Sequence, residues 1–288
     1  MSVSVFVPGH ITGFFNIVND DNPLKNGSCG CGFLLNKGVT TSIKLANGDE
    51  TSIIINGKTD LRNETIVREV LKIMDIDVAL NITQEINLPI GAGFGTSASS
   101  ALGIAIGLSK LLDLGNSLEK SGQIAHIAEI NLGSGLGDVI AELGQGIVLR
   151  TEPGAPGIGK ITSFNENDLY VASKTFSQIE TSSIIRDDNY KRKISDYGLK
   201  AKENFLKEQT VENFLKQSYS FSYNTKLMSD DVFGLVSRLN DDENILGSSM
   251  AMLGNTVFAF AEDKSAFDHL DDLGLDICKI NNEGIIHD

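Results

Sequence analysis

The stretch Leu88-Pro-Ile-Gly-Ala-Gly-Phe-Gly-Thr-Ser-Ala-Ser-Ser-Ala-Leu102 constrains this chain more than any other. Ala79 to Asn87, rich in Ile, Leu and Thr, precedes it and reads as a strand. Ala98 to Leu112, small and apolar, follows and reads as a buried helix. Between them stand Gly91, Gly93 and Gly95, then Thr96 and Ser97. Glycine lets backbone bend sharply and approach a ligand closely. A helix start leaves N–H groups unbonded and carries a partial positive charge. Strand, glycine loop and helix start together make a holder for phosphate.

Around this stretch the pattern is mixed. Ser2 to Val7 alternates as a strand, Pro8-Gly9-His10 predicts a turn, and Asn19 to Gly32 predicts a loop. Gly32 to Leu35, Thr40 to Leu45 and Thr51 to Ile55 predict a series of hairpin strands. Helical spacing predicts helices over Glu64–Met74 and Leu118–Leu132. A second glycine loop, Gly133-Ser-Gly-Leu-Gly137, leads into a short helix from Asp138, then a strand over Gly146–Arg150. Breakers concentrate in Pro153 to Gly159, so a boundary falls near residue 160, dividing the chain into 1–160 and 161–288. Beyond it lie a strand at Leu169–Thr175 and helices over Glu180–Asp187, Tyr190–Lys207, Val211–Lys226 and Asp230–Leu239. A third small-residue loop, Leu246 to Gly254, precedes a strand at Asn255–Ala261, a helix at Lys264–Leu273 and a last strand at Asp276–Ile280.

Composition narrows the function. The 288 residues carry a net charge of −14, which disfavours nucleic acid and anionic membrane as partners but leaves room for a local anion site. Three cysteines without a leader segment point to reduced thiols in a cytoplasmic protein. Cys29-Gly-Cys31 is half a metal motif with nothing to complete it. Gly93-x-Gly95-x-x-Ala98 matches a dinucleotide fingerprint, but that fingerprint opens the first strand–helix–strand unit, and here a long β-rich region comes before it. Gly57-Lys58-Thr59 lacks the leading glycine of a P-loop, and Gly247-Ser-Ser-Met-Ala251 lacks the second glycine of a nucleophile elbow.

Three glycine- and serine-rich loops with acids beside them fit phosphoryl transfer. That reaction needs a phosphate cradle, Mg²⁺ on hard oxygen ligands, and a group that meets the acceptor. Ser97 and Glu129 are candidates for the metal, and Asp138 for the acceptor hydroxyl.

At this point the chain resembles the GHMP kinase family. Pro89-Ile-Gly-Ala-Gly93-Phe94-Gly95-Thr96-Ser97-Ala98-Ser99 is similar to the family's central motif, Pro-x-x-x-Gly-Leu-Gly-Ser-Ser-Ala-Ala. Pro8-Gly9-His10 resembles its first motif with His in place of Lys, and Gly247 to Gly254 its third. Within the family, Pro8 to Phe15, Gly133 to Asp138 and Met252 to Phe258 look like the archaeal branch that phosphorylates pantoate for coenzyme A synthesis. The resemblance implies an α+β fold: an N-terminal domain like ribosomal protein S5 domain 2, then a ferredoxin-like C-terminal domain. It implies ATP and Mg²⁺ as cofactors and a homodimer. By position it implies phosphate contacts from Gly91, Gly93, Gly95, Thr96, Ser97 and Ser99, Mg²⁺ on Ser97 and Glu129, and a catalytic Asp138. For the acid substrate the candidates are Arg150, His126, Ser28 and His10. Homoserine or a mevalonate derivative as acceptor, and a silent nucleotide-binding regulator, are the alternatives.

Overall fold

The structure, a computed structural model, describes residues 2–59, 61–164, 169–177 and 188–287. Two long strands form its spine: β1 (Ser2–Val18) and β2 (Gly27–Leu45), antiparallel along their length. The turn expected at Pro8-Gly9-His10 is a β-bulge, and a second bulge falls between Thr12 and Phe14. The loop and separate hairpin strands expected from Asn19 to Leu45 are largely one strand. It holds together because it is paired on both sides: β1 lies on one edge, β4 (Leu80–Ile86) and β5 (Ile147–Glu152) on the other. Its glycines mark crowding rather than turns, for a Cβ on Gly38 would sit 2.1 Å from the Val7 carbonyl oxygen.

Beyond β4 lies β3 (Ser52–Ile55), parallel to it and joined through helix α1 (Leu61–Ile73), so this pair is not a hairpin. β6 (Lys160–Phe164) extends β5, and β11 (Ile286–His287) adds a short edge beside β1. Helix α2 (Thr96–Leu111) packs into this sheet and is buried nearly all round. Its small residues permit that: a Cβ on Gly103 would lie 2.4 Å from Thr41 Oγ1. Helix α3 (Leu118–Leu132) packs beside it, and the four-residue α4 (Asp138–Ala141) follows. Val5, Val39, Ile82, Val67, Leu102, Ile104 and Ala125 share one core here.

The second sheet has the order β10-β7-β9-β8, all antiparallel. Its strands are β7 (Tyr170–Ser177), β8 (Gly247–Met250), β9 (Asn255–Ala261) and β10 (Asp276–Lys279). Numbered from its first strand this is 4-1-3-2, the ferredoxin-like arrangement. Helices α5 (Asp188–Lys207), α6 (Val211–Thr225) and α7 (Asp230–Asn240) connect β7 to β8, and a 3-10 helix (Lys264–Leu273) connects β9 to β10. The helix expected over Glu180–Asp187 lies outside the described residues.

A continuous core joins the two sheets. Phe33 of β2 meets Phe258 and Phe260 of β9 edge-on, with ring centroids 5.1 and 4.7 Å apart, and Phe14 meets Phe205 of α5 at 5.9 Å. Such pairs add about 0.5–1.5 kcal/mol each beyond the area they bury. They anchor the cleft between the sheets, into which all three small-residue loops open.

Candidate active site

The glycine loop after β4 turns through left-handed residues, Gly91, Gly93 and Gly95 at φ 70°, 84° and 66°. A side chain is strained there, so glycine is required. Gly95 caps α2, and no side chain bonds the helix's first amides. Thr96 and Ser97 are therefore helical residues rather than caps. Part of the third expected loop is strand β8. The turn after it, with the start of β9, clamps the glycine loop from behind: Thr256 Oγ1 of β9 donates to the Ala92 carbonyl at 2.9 Å, a Cβ on Gly254 would lie 2.0 Å from the same oxygen, and Met252 N ties the turn to the Thr12 carbonyl of β1 at 2.9 Å.

The second loop begins where α3 ends on Gly133, at φ 67°. That cap brings Ser134 back over the helix, and its hydroxyl donates to Glu129 Oε1 at 2.6 Å. Ser97, from α2, donates to the same oxygen at 2.5 Å. The loop's glycines leave room for polar atoms. A Cβ on Gly135 would meet Glu129 Oε2, and one on Gly137 would meet Ser28 Oγ and Arg150 Nε. Burial pushes the Glu129 carboxyl up to about 7; the two serine bonds oppose this and the charge of Asp138 adds to it.

These elements line one cavity of about 590 Å³. Of the residues expected from sequence it brings together Gly91, Gly93, Gly95, Thr96, Ser97, Glu129, Asp138, Ser28 and Arg150. Three others stand elsewhere. His126 is buried under the loop before β2, where its Nε2 donates to the carbonyls of Pro23 and Asn26 at 3.1 and 3.0 Å. Ser99 turns its hydroxyl away from the cavity toward Glu142 Oε1, at 3.0 Å. His10 is fully buried beneath Asp138, its Nδ1 2.8 Å from Asp138 Oδ1.

His10 and Asp138 form the electrostatic centre. Burial lowers the His10 pKa, and Arg150 lowers it further, against the pull of Asp138. The ring is neutral at pH 7, with its proton on Nδ1 and facing the acid. Burial alone would raise the Asp138 pKa. The hydrogen bond from His10 and the charge of Arg150 outweigh it, so Asp138 lies below its ordinary value and is ionised. Arg150 is itself 1% exposed. Among the described residues its guanidinium donates only long bonds to Thr12 Oγ1, at 3.3 and 3.4 Å, and its Nε has no partner. A buried cation with donors unfilled, opening on a cavity, can receive an anion.

Sequence reasoning missed Thr12, Ser134 and Glu142. Ser134 was legible, since it stands inside the second glycine loop. Glu142 had one signal, its place four residues after Asp138.

Among the described residues no group of three His, Cys, Asp or Glu could hold a metal alone. The pair of Ser97 and Glu129 nevertheless fits Mg²⁺, which commonly takes one or two protein oxygens and completes its shell with phosphate and water. Glu129 has no ion pair among the described residues, and a cation beside it would offset its burial and the charge of Asp138.

A glycine loop at a helix start, with a charged acid and a buried arginine in the same cleft between an S5-like sheet and a ferredoxin-like one, fits an ATP-dependent kinase acting on small molecules, and comparison with known proteins agrees. The family model described as GHMP kinases N terminal domain matches residues 64–146. The pantoate kinase of Methanocaldococcus jannaschii is 37% identical over 268 residues, 92% of this chain and 95% of that protein. The pantoate kinase of Thermococcus kodakarensis is 34% identical, over 92% of this chain and 90% of its own length. A solved structure described as a phosphotransferase related to the CoA biosynthesis pathway superposes with a TM-score of 0.89 at 32% identity, covering 100% of this chain and 99% of that one. The chain belongs to the GHMP kinase family.

Proposed function

We propose that this kinase phosphorylates (R)-pantoate, giving 4-phosphopantoate and ADP in coenzyme A synthesis. The observation that carries the reading is Arg150, buried beside Asp138 with donors unfilled, in the cavity that also holds the glycine loop. The acceptor therefore needs both an anionic group and a hydroxyl. Pantoate has a carboxylate and two hydroxyls, and two similar enzymes are pantoate kinases.

In this reading the amides of Gly91 to Ser97 bind the triphosphate at the start of α2. Ser97 and Glu129 would hold Mg²⁺, which supplies charge neutralisation at the phosphates. Arg150 grips the substrate carboxylate in a planar fork, with Ser28 beside it. Asp138 meets the C4 hydroxyl. Its low pKa makes it a weak base, and the loose transition state of phosphoryl transfer asks little of a base until the new O–P bond forms. It orients the hydroxyl in line with the γ-phosphorus and receives the proton late. The leaving group is ADP. His10 keeps Asp138 aimed through its Nδ1–H, standing where other family members place a lysine. His126 acts at a distance, by tying down the loop that delivers Ser28.

Residues 1–160 carry the catalytic groups and residues 161–288 supply the clamp behind the glycine loop, with β6 and β11 reaching back to the first sheet. We place the protein in the cytoplasm, as a homodimer. In support of the first, its three cysteines are buried and free, and no helix among the described residues is long and apolar enough to cross a membrane.

The test is ADP release from ATP and Mg²⁺ with (R)-pantoate, homoserine or mevalonate as acceptor. Turnover with pantoate alone is expected. Preference for either other alcohol would reject the substrate, and ATP binding without turnover on any of them would favour a silent regulator.

A further inference from the structure

One buried acid has no part in the chemistry above. Glu142 closes α4, is fully buried, and its amide bonds the Asp138 carbonyl at 2.8 Å, so it stands one turn behind that acid. A Cβ placed on Gly95 would fall 2.6 Å from Glu142 Oε1 and 3.3 Å from the His10 carbonyl oxygen. The carboxyl group thus packs directly beneath the residue that caps α2, on the side away from the cavity.

Counting hydrogens decides its form. Three acceptors surround the Ser99 hydroxyl: the carbonyls of Pro8 and Gly95, both at 3.2 Å, and Glu142 Oε1 at 3.0 Å. A hydroxyl has one hydrogen to give. A carboxylate here would compete for that hydrogen with the Pro8 carbonyl, the Gly95 carbonyl being already served by the Ser99 N–H at 3.0 Å, and would bury a charge that faces Asp138 and Glu129 with no cation bonded to it among the described residues. A carboxylic acid removes the charge and the competition, leaving Oε2 buried without a partner among the described residues as a neutral oxygen rather than a charged one. It donates to Ser99 Oγ, and Ser99 passes its own hydrogen to Pro8 or Gly95. The same surroundings, burial first and then the charge of Asp138, hold the Glu142 carboxyl well above the usual range.

We propose that Glu142 is a positioning residue whose carboxyl group donates to Ser99 and, through that hydroxyl, ties the first turn of α2 and Gly95 to the Pro8 bulge of β1. The tie fixes the phosphate-facing amides relative to His10 and Asp138. It rests on the reading that the triphosphate lies at the start of α2 and the acceptor at Asp138.

Glu142→Gln keeps the shape and a donor but cannot ionise. It is expected to retain kcat and ATP affinity within about threefold, while Glu142→Ala and Ser99→Ala each lose about tenfold or more in kcat, as expected when a buried polar partner is removed. The KM for pantoate is expected to stay near its wild-type value. The double Ala variant is expected to lose no more than the worse single one, since both belong to one chain of bonds. A Gln variant as damaged as the Ala variant, an Ala variant as active as wild type, or losses that multiply would each overturn the proposal. Where an Ala variant does not fold, infrared difference spectra of wild type against Glu142→Gln decide. A protonated-carboxyl C=O band at neutral pH, lost in the variant, is expected, and its absence would overturn the proposal. A wild type that makes no ADP with pantoate would reject the acceptor instead, and the contrast between Gln and Ala is then read from ATP titration alone.

Discussion

Asp138 stays charged because its partners are fixed before any ligand arrives. His10 offers Nδ1–H from below, and Arg150 contributes charge from the side. An acid aimed in this way acts in the transition state more than in binding. Asp138→Asn should lower kcat by about 10² or more while ATP affinity shifts little. Equal losses in both would remove it from its assigned place. Glu129 makes a different prediction, on stability. Its carboxyl is raised to about 7 in the fold against 4.5 in the open chain. A raised acid favours the folded state fully below the lower value, and that favour is lost as pH climbs through the upper one. The ligand-free protein should lose up to about 3 kcal/mol from this group between those pH values. Glu142 acts in the same direction and is present in both proteins, so comparing wild type with Glu129→Gln isolates Glu129. Chemical denaturation at pH 4.5 and 7.5 should show a smaller fall for the variant; parallel slopes would contradict the account. At this scale the sequence was informative about kind and less so about place. Ser97, Glu129 and Asp138 were visible as polar groups beside glycine loops, and Arg150 as a cation ending the strand that follows, suited to the acid substrate that the family resemblance implied. The tasks of His10, His126 and Ser99 were not, because each points at a partner that the fold supplies from 43 to 128 positions away.

The loops work as a stack of backbones. Gly254 touches the glycine loop after β4 so closely that a Cβ on it would lie 2.0 Å from the Ala92 carbonyl oxygen. Backbone cannot retreat as a flexible side chain can, so Gly254→Ala must push the first loop out or open the cleft. A loss of about 1–3 kcal/mol in stability is expected, together with weaker ATP binding, read by thermal unfolding with and without nucleotide. A variant with wild-type stability and affinity would show that the third loop does not brace the first. Elements with strong local signals matched expectation: α3 spans Leu118–Leu132 as its apolar spacing predicted, and β9 spans Asn255–Ala261. The spine did not. Gly9, Gly30, Gly32 and Gly38 read as turns because turns and close strand contacts use the same residue, and only the facing strand distinguishes them. β6 carried no signal, being short and mostly exposed.

Across the whole molecule, the two sheets share a phenylalanine-rich core and place three loops around one cleft. The family motifs anticipated this architecture before any strand was placed, since they occur in order along nearly the whole chain. They did not anticipate that the chain would return at Ile286–His287 to the edge of the first sheet. The most direct test of the account is a crystal structure of the protein with Mg²⁺, a non-hydrolysable ATP analogue and pantoate. The account predicts the triphosphate against the amides of Gly91 to Ser97, the metal on Ser97 and Glu129, the pantoate carboxylate on Arg150, and its C4 hydroxyl within hydrogen-bonding reach of Asp138. A nucleotide bound outside this cleft, or a pantoate hydroxyl turned away from Asp138, would contradict it.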